Sequence, residues 1–205
     1  MTAPMHIAVI DDDAPVLDSL RLYFTRQGIE TSCFTSAQEF LAGIARGARF
    51  DCIVCDVRMP GLSGLELVQV LRREGLSAPV VLITGHGDVD MAVAAIKIGA
   101  FDFIEKPFDE ARLLASIRDA IARQAQPKSC GDDPAELKVR FNSLSERQRQ
   151  VMELAVAGLS NKEIASRLKI SPKTVENHRA WVMERIGARN IADLVRIAMR
   201  LQGKP

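Results

Sequence analysis

Residues 6–13 read HIAVIDDD, five residues of strand character followed by Asp11, Asp12 and Asp13. A short apolar run that ends in carboxylates reads as a buried strand whose last residues emerge at a polar edge. Four more short runs follow the same plan, at 29–33, 52–55, 80–83 and 101–104. Patterns of helical period separate them, near 14–27, 36–46, 64–73, 88–98 and 109–124. Ser36-Ala-Gln-Glu39 and Ser63-Gly-Leu-Glu66 are capping-box patterns, Asp109 can cap the fifth helix, and Asp13 is expected to cap the first. Five βα units with buried strands predict an α/β, flavodoxin-like parallel sheet in the order 2-1-3-4-5.

In such a sheet every strand ends at the same edge. Asp11, Asp12 and Asp13 follow the first strand, Asp56 the third, Thr84 the fourth and Lys106 the fifth. Strands 1, 3, 4 and 5 are neighbours in that order, so these groups converge on one crevice at the switch point. Clustered carboxylates repel one another and call for a cation, and an oxygen-rich site completed by water suits Mg²⁺. A carboxylate there can accept a phosphoryl group. The transfer then needs positioning and neutralisation of the equatorial oxygens, to which Mg²⁺, the Lys106 ammonium and the Thr84 hydroxyl can each contribute.

IDDD after the first strand, DVRMPGLSG around Asp56, ITGHGD around Thr84 and DFIEKPF around Lys106 resemble the receiver domains of two-component response regulators. The resemblance covers residues 1–125 and implies a CheY-like fold. It implies that Asp56 takes phosphate from a sensor histidine kinase, and that Asp11, Asp12, Asp56 and the backbone carbonyl of Arg58 hold Mg²⁺. It further implies a cis peptide before Pro107 and a switch pairing Thr84 with Phe103. His86 and the Arg58 side chain stand near enough in sequence to touch the phosphoryl group or its attacking water, although a solvated loop histidine and a surface charge are the blander readings. Val89, Val93 and Ile96 make an apolar face suited to self-association after phosphorylation.

The overall charge of +1 conceals an asymmetry: residues 1–125 hold 12 basic and 17 acidic residues, 126–142 hold three of each, and 143–205 hold 12 and six. An acidic front and a basic rear suit cations at one end and phosphates at the other. No apolar run approaches the roughly 18 residues that span a membrane. The first ten residues lack the features of a signal peptide, so a cytoplasmic location is expected. Of the four cysteines, Cys33, Cys52, Cys55 and Cys130, the pair Cys52 and Cys55 lies on opposite faces of a strand and reads as buried apolar residues rather than a metal or disulfide pair.

Residues 126–142 form a linker, broken by Pro127, Gly131, Asp132, Asp133 and Pro134, with a short helix at 135–141. Beyond it everything is helical. Ser145-Glu-Arg-Gln148 opens a helix that Gly158 ends, Ser160-Asn-Lys-Glu163 opens a second, Ser171-Pro172 a third that Gly187 stops, and Asn190 caps a fourth. The second and third, joined by a tight turn at Lys169-Ile170, have helix-turn-helix spacing. Val175, Val182 and Ile186 mark the core face of the third helix, with His178 at the core edge. Lys173, Asn177, Ala180 and Glu184 mark the opposite face, small and polar enough for a major groove. Asn161, Lys162, Lys173, Thr174, Arg179, Arg185 and Arg189 are candidate phosphate contacts, and Glu176 joins the DNA-binding set.

The stretch LSERQRQVMELAVAGLSNKEIASRLKISPKTVENHRAWVMERIGARN resembles the four-helix DNA-binding domain of the LuxR/FixJ (NarL-like) family. With TGHGDV in the first domain, regulators of the FixJ kind are the nearest likeness within it. One departure is Gln148, where the family usually has Glu, and Gln can still close the capping box. The resemblance implies a phosphorylation-activated transcription activator, not an enzyme, that dimerises, binds promoter DNA, works with RNA polymerase and acts on nitrogen-fixation-type genes. Two other readings are weaker. A haloacid dehalogenase-type phosphatase uses a D-x-D pair, whereas Asp56 is followed by Val57 and Arg58. A module that acts by protein contact or on RNA does not account for the bare polar face of the third helix.

Overall fold

The structure, a computed structural model, describes residues 5–85, 89–125 and 134–201. His86, Cys130 and the linker breakers Pro127, Gly131, Asp132 and Asp133 lie outside the described residues. The chain divides into two compact units, residues 1–86 with 98–126, and residues 87–97 with 127–205.

In the first unit, β1 (His6–Ile10), β2 (Glu30–Phe34), β3 (Cys52–Asp56), β4 (Val80–Thr84) and β5 (Asp102–Glu105) form one parallel sheet in the expected order 2-1-3-4-5. The helices are α1 (Ala14–Arg26), α2 (Ala37–Ala45), α3 (Gly64–Arg73) and α5 (Glu110–Ala125), while α4 (Val89–Lys97) groups with the second unit. Strand alternation decides which side chains each face buries. Ile7, Val9, Cys52, Val54, Val81, Ile83 and Ile104 share one face with Leu17, Leu20 and Phe24 of α1 and Leu113 and Ile117 of α5. Ala8, Ile10, Ile53, Cys55 and Leu82 are buried on the other, the side that right-handed crossovers leave to α2 and α3.

Ser63 and Glu66 close their capping box as read, whereas at α2 Ser36 Oγ accepts from Glu39 N but the Glu39 carboxylate accepts from Thr35 N and Thr35 Oγ1 instead of Ser36 N, so that box stays half closed. Asp109 Oδ1 accepts from Ala111 N at 2.8 Å. Asp13 departs from expectation. It occupies the N-cap position of α1, but its carboxylate caps nothing. Pro15 has no N–H to offer, and the next donor, Val16 N, is taken by the Asp13 carbonyl at 3.1 Å. The second strand starts one residue later than the apolar run, because Ile29 N closes α1 onto the Phe24 carbonyl.

The second unit contains α6 (Pro134–Asn142), α7 (Glu146–Ala157), α8 (Asn161–Leu168), α9 (Pro172–Ile186) and α10 (Ile191–Leu201). Val151, Ala155, Ile164, Ala165 and Val175 close the α7–α8–α9 contact, and Leu144, Met152, Val182, Ile186 and Leu194 form a second cluster. Gln148 closes its capping box with Ser145 and is buried. The tight turn between α8 and α9 places Lys169 at φ 54, a left-handed conformation. The expectation that Val93 and Ile96 present an exposed face is corrected. Both are buried, because an apolar helix stripe is covered wherever it finds a partner.

Asp193, at the first turn of α10, is buried and bridges Arg196 at 2.9 Å and Arg189 at 3.1 Å. Burial opposes its charge, but these partners prevail and hold its carboxyl below the usual value of 3.8. A carboxyl depressed by folding stabilises the fold above its unfolded pKa and loses that contribution as pH falls through the folded one. Asp193→Asn is therefore expected to destabilise the helical unit by roughly 2–3 kcal/mol at pH 7. The gap to wild type should narrow only below about pH 4. Urea unfolding followed by emission of the single tryptophan, Trp181, measures it, and a gap independent of pH down to 2.5 would contradict the assignment.

Candidate functional site

The carboxyl edge of the sheet brings together what the sequence placed there. Asp11 directly follows β1 and Asp56 ends β3, and both carboxylates are buried. Lys106, just past β5, donates from Nζ to Asp11 Oδ2 at 2.7 Å and to Asp56 Oδ1 at 2.8 Å. The remaining oxygens are held by backbone: Asp11 Oδ1 accepts from Asp13 N at 2.9 Å and Asp56 Oδ2 from Arg58 N at 2.6 Å. Burial, partly offset by the Lys106 hydrogen bond, holds the Asp11 carboxyl above its ordinary range. Burial acts to lower the Lys106 ammonium, yet the hydrogen bonds to Asp11 and Asp56 keep it above its usual value. The ammonium is thus a fixed cation between two carboxylates.

Thr84 is fully buried at the end of β4, and its carbonyl accepts from Lys106 N at 2.7 Å. In the β4–β5 register Leu82 pairs with Phe103 and Thr84 with Glu105. Residues two apart share a face, so Thr84 and half-buried Phe103 stand diagonally on the same side of the sheet. The peptide before Pro107 is cis, as the resemblance implied. Asp12 and Arg58 are exposed, and among the described residues no three metal-ligating side chains converge. The donors present are nonetheless hard oxygens, and two of them already face one positive charge, which fits a small divalent cation completed by water. Cys52 and Cys55 are free and buried, and burial pushes the Cys52 thiol up to about 12, as befits inert packing residues.

One contributor escaped the sequence reading. A Cβ on Gly64, the first residue of α3, would lie 2.3 Å from the Asp56 carbonyl oxygen. Gly64 therefore sets how closely α3 approaches the acceptor strand. Within the capping-box pattern this glycine carried no separate signal.

On α9, Lys173, Glu176, Asn177, Ala180 and Glu184 are exposed, opposite buried Val175, Val182 and Ile186. Lys173 pairs with Glu176 at 2.9 Å. Thr174 is drawn into the helix cap, its N–H donating to Ser171 Oγ at 3.0 Å. Arg179 is partly buried and donates to Asn161 Oδ1 at 2.7 Å, tying α9 to the start of α8. Lys162 and Arg185 are exposed, while Arg189 is paired with Asp193. Arg147 caps the Leu168 carbonyl and so braces the end of α8 before the turn. His178 packs edge-on against Trp181, with ring centroids 5.6 Å apart.

A doubly wound sheet with an acidic, lysine-bridged edge, joined to a helix-turn-helix, defines a response regulator with a DNA-binding output. The chain belongs to this family: residues 7–118 match the response regulator receiver domain, and residues 142–198 match the bacterial regulatory proteins of the luxR family. It is 48% identical over 201 residues to the transcriptional regulatory protein FixJ of Bradyrhizobium diazoefficiens, covering 98% of this chain and 97% of that one. It is 42% identical to the response regulator protein TodT of Pseudomonas putida, covering 96% of this chain and 86% of the relative. Full-length FixJ from B. japonicum matches over 100% of both chains, with 46% identity and a TM-score of 0.56.

Proposed function

We propose that the chain is a phosphorylation-activated transcription regulator in which residues 1–125 receive a phosphoryl group on Asp56 and residues 143–205 bind promoter DNA. The observation that carries this reading is the Lys106 ammonium seated between Asp11 and Asp56 at the sheet edge. An Asp56 oxygen attacks the phosphorus of a sensor kinase's phosphohistidine, the P–N bond breaks, and the imidazole leaves with its electron pair. Asp11, Asp12, Asp56 and the Arg58 carbonyl would hold Mg²⁺, which supplies charge neutralisation at the phosphoryl oxygens. Lys106 keeps its ammonium for a phosphoryl oxygen, and the Thr84 hydroxyl donates to another. Phe103, on the same face, then turns into the space Thr84 leaves. A homodimer follows, which requires Val93 and Ile96 to be uncovered, and it presents two copies of α9 to adjacent half-sites about 10 bp apart. RNA polymerase is the expected downstream partner, and the cytoplasm the expected location; no described helix is long and apolar enough to cross a membrane.

The test is duplex binding with and without acetyl phosphate and Mg²⁺: affinity and dimer fraction should rise together. Affinity that rises while the protein sediments as a monomer would exclude dimerisation as the switch. Asn177→Ala should cost roughly 1–3 kcal/mol at one base pair. Lys162→Ala should weaken all sequences alike and flatten the salt slope by about one unit. Identical behaviour of the two variants would mean that Asn177 reads no base. Nitrogen-fixation-type promoters are the finer part of the proposal, since relatives named FixJ and TodT have similar identities. Transcript profiling of a strain lacking the chain decides it.

A further inference from the structure

Trp181 is half exposed on α9, one of three large apolar side chains open to solvent among the described residues. It is the only tryptophan in the chain. The exposed polar stripe of α9 is Lys173, Asn177, Ala180 and Glu184. At about 100° per residue, Trp181 stands beside that stripe, some 120° from the buried line of Val175, Val182 and Ile186. It is the tenth residue of α9, so it lies about 13 Å from the start of the helix. Base edges are met mainly by the first residues of a recognition helix. A residue on the flank of the stripe, further along, meets the wall of the groove, which is deoxyribose and phosphate.

The indole suits that wall. Its ring offers an apolar face to the sugar, and Nε1–H is a donor with no acceptor role, matched to a phosphate oxygen. It is also held in place: the His178 ring packs edge-on against it at 5.6 Å and 76°. An apolar side chain kept half in water and braced from behind costs little to order on binding. The surrounding residues 143–205 carry 12 basic and six acidic residues, the balance expected where phosphates approach.

We infer that Trp181 is a DNA-backbone contact of α9, its ring lying on a deoxyribose and its Nε1–H donating to a phosphate. This rests on the DNA-binding reading above. It predicts an unusual signature, because a neutral donor displaces no counterions. Affinity should depend on Trp181, but sequence preference and salt slope should not.

The experiment uses the full chain, phosphorylated with acetyl phosphate and Mg²⁺. The probes are a labelled 24-bp duplex recovered from a randomised pool and a scrambled duplex of equal composition. Saturating duplex should change the emission of wild-type Trp181 relative to phosphorylated protein alone. Trp181→Ala should bind both duplexes about tenfold more weakly, the worth of one hydrogen bond to a charged group plus its apolar contact. The salt slope should stay the same, and Trp181→Phe, which keeps the ring, should fall between. Bound duplex with unchanged emission, or Trp181→Ala equal to wild type, overturns the inference and leaves DNA binding standing. So does a loss confined to the selected duplex, which would make Trp181 a base reader. If no duplex is bound by wild type at all, both readings fall. Should Trp181→Ala misfold, as its circular dichroism would reveal, wild-type emission and Trp181→Phe affinity still decide.

Discussion

Asp56→Asn is expected to accept no phosphoryl group from acetyl phosphate or a kinase, a fall on the order of 10³-fold or more. The amide has the size of the carboxylate and keeps an oxygen to accept from Arg58 N, so the chain should fold. It has no anionic oxygen to attack phosphorus. No neighbour can stand in. Asp11 is buried with Lys106 on one oxygen and Asp13 N on the other, and Asp12 is exposed beyond the pair. As members of the proposed metal ring, both would be held away from in-line attack. Chelating Mg²⁺ from wild type should remove labelling as well, because two carboxylates and one ammonium leave the dianionic phosphoryl group uncompensated. Labelling scored on phosphate-affinity gels checks both. Undiminished labelling of Asp56→Asn with Mg²⁺ present would remove Asp56 from the role.

Most of the sheet and its site was legible because the signals were redundant. Four of the five strands are short apolar runs that lead into a residue whose chemistry makes no sense inside the core; only β2, which lies at the sheet's edge, does not. A buried parallel sheet forces all those ends to one edge. Four ends carrying Asp11, Asp56, Thr84 and Lys106 then specify both the topology and the crevice. The limits of that reading are local. Asp13 looks like a helix cap, yet whether its carboxylate finds a donor depends on Pro15 two positions later. Val93 and Ile96 show from their spacing that α4 has an apolar stripe, but periodicity cannot say what covers it.

The helical part was legible at its boundaries for a different reason. Ser145, Ser160 and Ser171 each accept from a backbone N–H three residues on, and a cap satisfied so locally can be read without knowing the tertiary fold. The direction of the long cations could not. Arg179 counted as a phosphate contact by charge alone, while the structure turns it to Asn161, and Arg189 is committed to Asp193. Long side chains choose among several partners within reach, and sequence spacing does not rank them. Trp181 was passed over for a related reason: polar residues were sought on the groove face, and an indole's apolar body hides its donor.

Gly64→Ala should be the most disruptive single-methyl change in the first unit. The new Cβ would stand 2.3 Å from the Asp56 carbonyl oxygen and 3.1 Å from both Asp56 C and Val57 Cα. All three are backbone atoms at the end of a buried strand, so no side chain can swing aside, and α3 or the strand end must move. Gly64 N also donates to the Val57 carbonyl at 3.0 Å, a bond that the movement breaks. A loss of roughly 3 kcal/mol follows from overpacking plus one buried hydrogen bond. Gly43→Ala is the control. It lies within α2, its Cβ would meet only the Phe34 ring at 3.4 Å, and alanine is the better helix former by about 1 kcal/mol. Urea unfolding followed by far-ultraviolet circular dichroism should thus shift in opposite directions for the two variants. The chemistry should follow the geometry: residues 57–63 carry Arg58, whose N–H fixes Asp56 and whose carbonyl belongs to the proposed metal ring. Gly64→Ala chains that remain folded at low temperature should therefore label slowly, whereas Gly43→Ala chains should label like wild type. Equal unfolding midpoints and equal labelling for Gly64→Ala and wild type would show that the close approach of α3 to the acceptor strand constrains neither the fold nor the site.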